Sequence, residues 1–247
     1  MQSGTVQPGE PVHFTVPTGN FGDILAGFFA KKLGLPVGKL LCASNANHIL
    51  SDFLTTGVYD RNRRFLKTSS PSMDILISSN LERMLFLAAD EDPAAVRALM
   101  DSLRRIGRYE APASALKHLQ EHFCAGWADE REIRSAIRRC WEDRHYLLDP
   151  HTAAAWAVAE KSGLAGPNVI LATASPFKFP DTVLSSLGAP VPDDPFARLD
   201  ALSALTGIPV PPPLAGLKDR PVRFTDVIGK EEVFSYVLAA VRKGELS

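Results

Sequence analysis

Three cysteines in 247 residues, no long apolar run and almost no net charge set the first bounds on this chain. Cys42, Cys124 and Cys140 stand far apart, without C-x-x-C or metal-ligand spacing, so no disulfide framework or zinc knot is written here. An odd, scattered set suits reduced thiols in a cytosol, each read as a small buried apolar side chain. No apolar stretch approaches the roughly 18–20 residues needed to cross a bilayer. The opening Met1-Gln-Ser-Gly-Thr-Val-Gln-Pro-Gly-Glu10 lacks a basic n-region and an apolar h-region, so it does not read as a secretory signal. A formal net charge of -1 offers no basic field for nucleic acid and no polybasic face for a membrane. Neither an internal repeat nor a low-complexity tract is seen. The expectation is a cytoplasmic chain whose 45% hydrophobic content suffices for a core.

What is present is organised around one stretch near the amino end, His13-Phe-Thr-Val-Pro-Thr-Gly-Asn-Phe-Gly-Asp23. Its first half alternates apolar and polar residues like a short strand, and Pro17 ends ladder pairing there. Thr18 to Gly22 is a tight turn punctuated by two glycines, and Asp23 opens an apolar run of helical length and period. A strand, a glycine turn and a helix amino end together make an anion site. Unbonded N–H groups of the first helical turn point outward, and the helix dipole favours negative charge there. Gly19 and Gly22 are expected to let the backbone approach a phosphate and to tolerate positive φ. Spacing alone leaves two readings open, a phosphate cradle or a plain turn.

Lys39-Leu-Leu-Cys-Ala43 reads as the next strand, after a Gly34-Leu-Pro36 stop, and strand–helix–strand order implies a right-handed crossover with parallel pairing. Ser44, Asn45 and Asn47 then fall at the carboxyl edge of the sheet, where open parallel sheets form their ligand crevice. They either face that crevice or cap the helix that follows. Arg61, Arg63 and Arg64 make a basic loop, either solvated or suited to phosphate. From Asn80 to about Cys140 the apolar residues recur at helical spacing, with Asp92-Pro93 opening one helix. Asp129 to Arg139 reads as an exposed amphipathic helix with i,i+4 pairs such as Glu130–Arg134. His118 and His122 are four apart, a metal-capable spacing, but no H-E-x-x-H pattern accompanies them and no metal is expected. Asp149-Pro-His-Thr opens a further helix, with His151 either facing the crevice or supporting the helix start. Asn168-Val-Ile-Leu-Ala-Thr173 reads as a strand returning to the sheet. Gly207 to Pro213 is a proline-rich spacer, and Glu231 to Arg242 closes the chain as a helix.

Val16-Pro-Thr-Gly-Asn-Phe-Gly-Asp23 resembles the phosphate-cradling loop of threonine synthase, a pyridoxal-phosphate enzyme of the tryptophan-synthase-β-like fold. Leu41-Cys-Ala-Ser-Asn-Ala-Asn47, Asp52-Phe-Leu-Thr-Thr-Gly57, Thr68-Ser-Ser-Pro-Ser-Met-Asp-Ile-Leu76 and Ser79-Asn-Leu-Glu-Arg83 resemble further blocks of that family. So do Asp149-Pro-His-Thr-Ala153 and Ala172-Thr-Ala-Ser-Pro-Phe-Lys-Phe179, in the same order. The resemblance implies an α/β fold, an open mostly parallel sheet with flanking helices inside a fold type II architecture, with a largely helical second half. It implies pyridoxal 5'-phosphate as cofactor, held through the amides of Gly19, Asn20, Phe21 and Gly22. It also implies a hydroxyl at the cofactor ring nitrogen, Thr173 with Ser175 as the near alternative. The implied substrate is O-phosphohomoserine, turned with water into threonine and phosphate.

The family holds its cofactor as a Schiff base on a lysine in a Phe-Lys-Asp type motif upstream of the phosphate loop. No lysine of this sequence sits in that context: Lys31 and Lys32 lie on a helix, and Lys178 belongs to a later block. The expectation is a carboxyl-terminal part with no catalytic residue of its own, inactive alone: an incomplete gene product, which is the favoured origin, a silent module, or one completed by a separate amino-terminal half. Organisation is expected as an α/β segment with the phosphate loop (1–80), a helical segment (81–165), a return strand with the cofactor-ring block (166–190), and a connector with a final helix (191–247). The serine-rich Thr68 to Asp74 block is expected to line the crevice or cap the next helix.

Overall fold

A computed structural model of the chain describes residues 6–223 and 225–243; the reading of the first five residues lies outside them. The chain runs through β1 (Val12–Pro17), α1 (Gly22–Lys32), β2 (Val37–Ser44), α2 (Ile49–Thr56), β3 (Val58–Asp60), α3 (Leu81–Ala88), α4 (Pro93–Ile106) and β4 (Arg108–Glu110). It continues through α5 (Ala113–His122), β5 (Phe123–Trp127), α6 (Glu130–Arg144), α7 (Pro150–Lys161), β6 (Asn168–Ile170), α8 (Pro180–Ser186) and α9 (Pro195–Thr206). A short α10 (Pro212–Ala215) and α11 (Val233–Lys243) follow. Two compact units divide at Val210 and Pro211, so the last two helices form a unit of their own.

Four strands form one sheet in the order β5-β2-β1-β6, and every pair within it is parallel. β2 is central, and Leu40, Leu41, Cys42 and Ala43 are all buried, the near-continuous apolar run that a strand covered on both faces needs. Successive side chains alternate between faces. Leu40 and Cys42 join Val16, Ile24, Phe28 and Phe123 in one cluster. On the other side α7 packs against β1 and β2. Its Ala153, Ala154, Ala155 and Ala157 are buried, small residues that let the helix approach closely. Gly126 serves the same approach: a Cβ there would meet Val158 Cγ1 at 2.8 Å. All carboxyl ends therefore open on one edge, which gathers the loops after β1, β2, β5 and β6.

β3 and β4 form a separate antiparallel pair. Tyr59 stacks on Tyr109 with ring centroids 5.1 Å apart, and its hydroxyl donates to Leu76 O and accepts from Ser78 N–H. Burial pushes the Tyr59 phenol up to about 12.

Three expectations are corrected. The segment expected to be helical through Cys140 contains β4 and β5, and β5 is a full member of the parallel sheet, Leu40 pairing with Phe123 and Cys42 with Ala125. Phe-Cys-Ala-Gly-Trp is short and follows α5 with no intervening turn, so only its pairing to β2 marks it as a strand. The Glu130–Arg134 pair is not formed: Glu130 Oε1 accepts from Ser69 N–H and Oγ, and Arg134 reaches Ser185 Oγ. A tertiary partner outweighs an exposed helical pair, which is worth only a few tenths of a kcal/mol. The return strand ends at Ile170 rather than at Thr173. All three thiols are free, and burial raises Cys42 to about 12, so it stays protonated and inert. Among the described residues no helix is long and apolar enough to cross a membrane.

Candidate functional site

The turn after β1 is fixed from both sides. Thr18 N–H donates to Ala43 O at 2.8 Å and Thr18 Oγ1 to Val16 O at 2.6 Å, tying the turn to the sheet edge. Phe21 then takes the left-handed conformation, φ 61°, ψ 5°. Its side chain is buried against Phe123 at 5.3 Å, so core packing holds a backbone geometry uncommon for a bulky residue. Positive φ thus falls on Phe21, not on Gly19 or Gly22, where it was expected. The glycines are required for proximity. A Cβ on Gly19 would lie 2.8 Å from Ser72 O and 3.0 Å from Met73 Cα, and one on Gly22 3.0 Å from Asn80 Nδ2.

Among the described residues, none of the backbone N–H groups from Gly19 to Asp23 has a protein acceptor. A run of free amides around a left-handed residue at a helix amino end is an anion-binding concavity. Asn20 anchors the turn to the next block, its Oδ1 accepting from Ser79 N–H and Oγ and its carbonyl from Asn80 N–H.

The Thr68 to Asp74 segment is pinned beneath by a polar network. Asp74 Oδ1 accepts from Asn45 Nδ2 and Asn47 Nδ2, each at 2.8 Å, and from Thr68 Oγ1; Asp74 Oδ2 accepts from Thr68 N–H. Asn45 and Asn47 therefore neither cap α2 nor line the cleft. They are buried and hold the segment whose Ser72 and Met73 back the glycine turn. Asp74→Ala leaves several of these donors unpaired, and a loss of about 2–4 kcal/mol in urea unfolding is expected. A loss under about 0.5 kcal/mol would show that the network is dispensable.

Asp149 and His151 clamp the same segment from α7. Asp149 accepts from His151 N–H and Thr152 N–H, capping the helix, and its Oδ1 lies 2.9 Å from His151 Nδ1. His151 Nε2 accepts from Ser72 N–H at 3.2 Å, so the network puts the ring proton on Nδ1, facing Asp149. Both expected roles of His151 hold at once: it supports the helix start and lines the cleft.

The cleft, about 430 Å³, is lined by Thr18 to Asp23, Ser72, Met73, Asn80 and His151 together with Thr173, Lys178 and Phe179. Gly19, Asn20, Phe21, Gly22 and Thr173 thus share one cavity. Ser175 caps the 3-10 turn that follows it, accepting from Phe177 N–H, and does not line the cleft. Arg61 and Arg63 are engaged elsewhere, with Arg104 O and with Asp52 and Asp60 O, and Arg64 is no part of the lining. Lys178 is the residue that sequence reasoning set aside. It is exposed, its ammonium group has no ion-pair or hydrogen-bond partner among the described residues, and it is the sole basic side chain lining the cleft besides His151. The Ser175-Pro176 pair ahead of it was the available signal, since it opens the 3-10 turn that ends at Lys178. Asp23, exposed on the first turn of α1, sets a negative charge at the rim, so Lys178 also offsets repulsion of an anion. A larger groove of about 720 Å³, lined by Phe29, Phe86, Val96 and Arg97 among others, contains no such set of free amides.

The family model described as threonine synthase, C-terminal, matches residues 152–237. Threonine synthase-like 1 of Homo sapiens is 41% identical over 189 residues, 76% of this chain and 25% of that protein. Threonine synthase of Saccharomyces cerevisiae is 40% identical over 195 residues, 71% of this chain and 38% of that enzyme. The crystal structure of pyridoxal-phosphate-bound threonine synthase from Brucella melitensis superposes with a TM-score of 0.71 and 45% identity, covering 78% of this chain and 42% of that one. The chain therefore spans about a quarter to two-fifths of the length of these relatives. It belongs to the threonine synthase family, matching its carboxyl-terminal part.

Proposed function

We propose that this member of the threonine synthase family supplies the cofactor-phosphate and ring-nitrogen contacts of a pyridoxal-phosphate site. That site would serve conversion of O-phosphohomoserine and water into L-threonine and phosphate. The observation that carries the reading is the run of five unpaired amides from Gly19 to Asp23 at the amino end of α1. These donors fit a phosphate dianion without further charge from the chain. Bound there, the cofactor would supply an electron sink for chemistry at the substrate's carbon atoms. The backbone of Gly19, Asn20, Phe21 and Gly22 would fix the phosphate. Thr173 would offer its hydroxyl to the ring nitrogen, a neutral partner that leaves that nitrogen largely unprotonated. Lys178 would bring positive charge to whichever anionic group occupies the outer cleft. The residues of this chain put no Phe-Lys-Asp type lysine into the site, so the chain alone is proposed to bind the cofactor noncovalently and to be inactive.

A second reading, a silent or split-enzyme module needing a separate amino-terminal half, draws on the sheet edge. β6 is a three-residue edge strand with Val169 47% exposed, beside an apolar groove lined by Phe14, Leu35 and Leu171. An uncovered apolar edge of this kind asks for a partner segment.

Titrating pyridoxal phosphate into the purified chain, followed by borohydride reduction and peptide mapping, tests the first reading. Saturable binding, about tenfold weaker in Lys178→Ala and in Thr173→Val, is expected, with no lysine adduct and no threonine formed from O-phosphohomoserine. A specific adduct on Lys178 with turnover would overturn the inactivity. Equal affinity in wild type and both variants would remove Thr173 and Lys178 from the site.

A further inference from the structure

On the opposite edge of the sheet, α5 ends in His118-Leu-Gln-Glu-His122 and passes directly into β5. We propose that this last turn holds one divalent transition ion of the zinc, nickel or copper class, bound by His118, Glu121 and His122. One ligand atom from each of the three lies within 4.8 Å of the others. The two imidazoles meet edge to face with ring centroids 5.1 Å apart, at the i,i+4 spacing from which two histidines on one helix can chelate an ion. Tetrahedral coordination at zinc–nitrogen distances of about 2.0–2.1 Å draws ligand atoms closer than this. The half-buried histidines and the exposed Glu121 can close the remaining distance by side-chain rotation.

Two further observations point to a ligand here. His122 Nδ1 is buried and has no hydrogen-bond partner, an orphaned polar atom on a residue of the cluster. Glu121 and His122 also occupy the final helical turn, where the negative end of the dipole favours a cation. The neighbouring cations oppose binding and set its strength. Lys39 Nζ donates to Gln120 O and Glu121 O at 2.8 and 2.9 Å, and Lys31 Nζ to Gly38 O at 2.7 Å, so both ammonium groups are occupied by carbonyls. Two nitrogens and one carboxylate select a borderline ion over magnesium or calcium, which prefer all-oxygen sites.

The position decides the role. His122 packs on Phe28 at 5.1 Å, and the next residue, Phe123, pairs with Leu40 in the central strand. The cofactor cleft opens at the carboxyl edge, so an ion at the α5–β5 junction acts on structure, fastening helix to sheet, with water filling its open positions.

The test uses the untagged full chain, stripped with chelator and desalted. Calorimetric titration with zinc chloride should give one ion per chain, cobalt chloride should give a visible d–d band, and magnesium chloride should give neither. His118→Ala and His122→Ala are each expected to weaken zinc at least tenfold, Glu121→Gln by less, and His145→Ala not at all. Zinc should raise the melting midpoint of wild type and of His145→Ala, and should raise those of His118→Ala and His122→Ala far less. If His122→Ala lowers the metal-free midpoint, His118→Ala, which leaves the Phe28 contact intact, decides. No binding, or binding retained in the double histidine variant through a thiol or another histidine, would overturn the proposal.

Discussion

Gly19→Val is expected to lose pyridoxal phosphate binding by at least about a hundredfold, a difference of about 2.8 kcal/mol. It is also expected to lower stability by about 2–3 kcal/mol. A Cβ on Gly19 meets the backbone of Ser72 and Met73 at 2.8 and 3.0 Å, and backbone cannot rotate away as a flexible side chain would. That segment is itself immobilised, by Asp74 from beneath and by His151 from α7. Relief must therefore come from displacing the glycine turn, which breaks the convergence of the free amides. The same thermal melts separate the two consequences. Ligand at one hundred times its dissociation constant stabilises the wild type by about 2.7 kcal/mol. The variant should melt lower without ligand and show no ligand shift. Arg139→Ala, on an exposed face of α6 where Arg139 pairs with Glu160, should keep the full shift. Equal shifts in wild type and Gly19→Val would reduce this turn to a connection between β1 and α1.

The different fates of these residues show what a linear reading can carry. The turn and its helix were legible because Pro17, Gly19, Gly22 and Asp23 are local signals, each restricting the backbone at its own position. Asp92-Pro93 and Asp149-Pro150 were legible as helix starts for the same reason, and in the structure both carboxylates cap the helices they open. Phe21 was not legible as the left-handed residue. Its conformation is imposed by burial beside Phe123, about a hundred positions away, while the local rule nominated the glycines. Asn45 was ambiguous because a capping asparagine and one that donates to Asp74 look alike until the chain closes on itself. β5 escaped for a similar reason, being recruited by β2 rather than declared by its own pattern. Lys178 was discounted because it lacks the family's lysine context, yet the turn capped by Ser175 brings it to the cleft lining.

The second large effect concerns Asp149. It is 1% exposed, and burial alone would raise its pKa, but donors from His151 and Thr152 outweigh burial and hold it below the usual carboxylate value. A group depressed in the folded state contributes stability that is complete above its unfolded pKa. That contribution is lost as pH falls through the lower, folded value. Asp149→Ala removes the acceptor from under a helix cap and a buried imidazole, and about 3–5 kcal/mol should be lost at pH 7. Asp149→Asn keeps the shape but not the charge, and about 2 kcal/mol should be lost. The gap between wild type and Asp149→Asn should be constant from pH 7 down to about pH 5 and then narrow, because below the folded pKa both side chains are neutral. Urea unfolding at pH 7, 5 and 3 measures that gap directly, since titration of the remaining carboxylates is common to both proteins and cancels. A gap that stays fixed to pH 3 would mean that the carboxylate's charge adds nothing to the clamp. Narrowing accompanied by weaker pyridoxal phosphate binding in Asp149→Asn at pH 7 would tie the clamp to the cleft, because Asp149 is linked to the segment behind the glycine turn through His151 and the Ser72 amide.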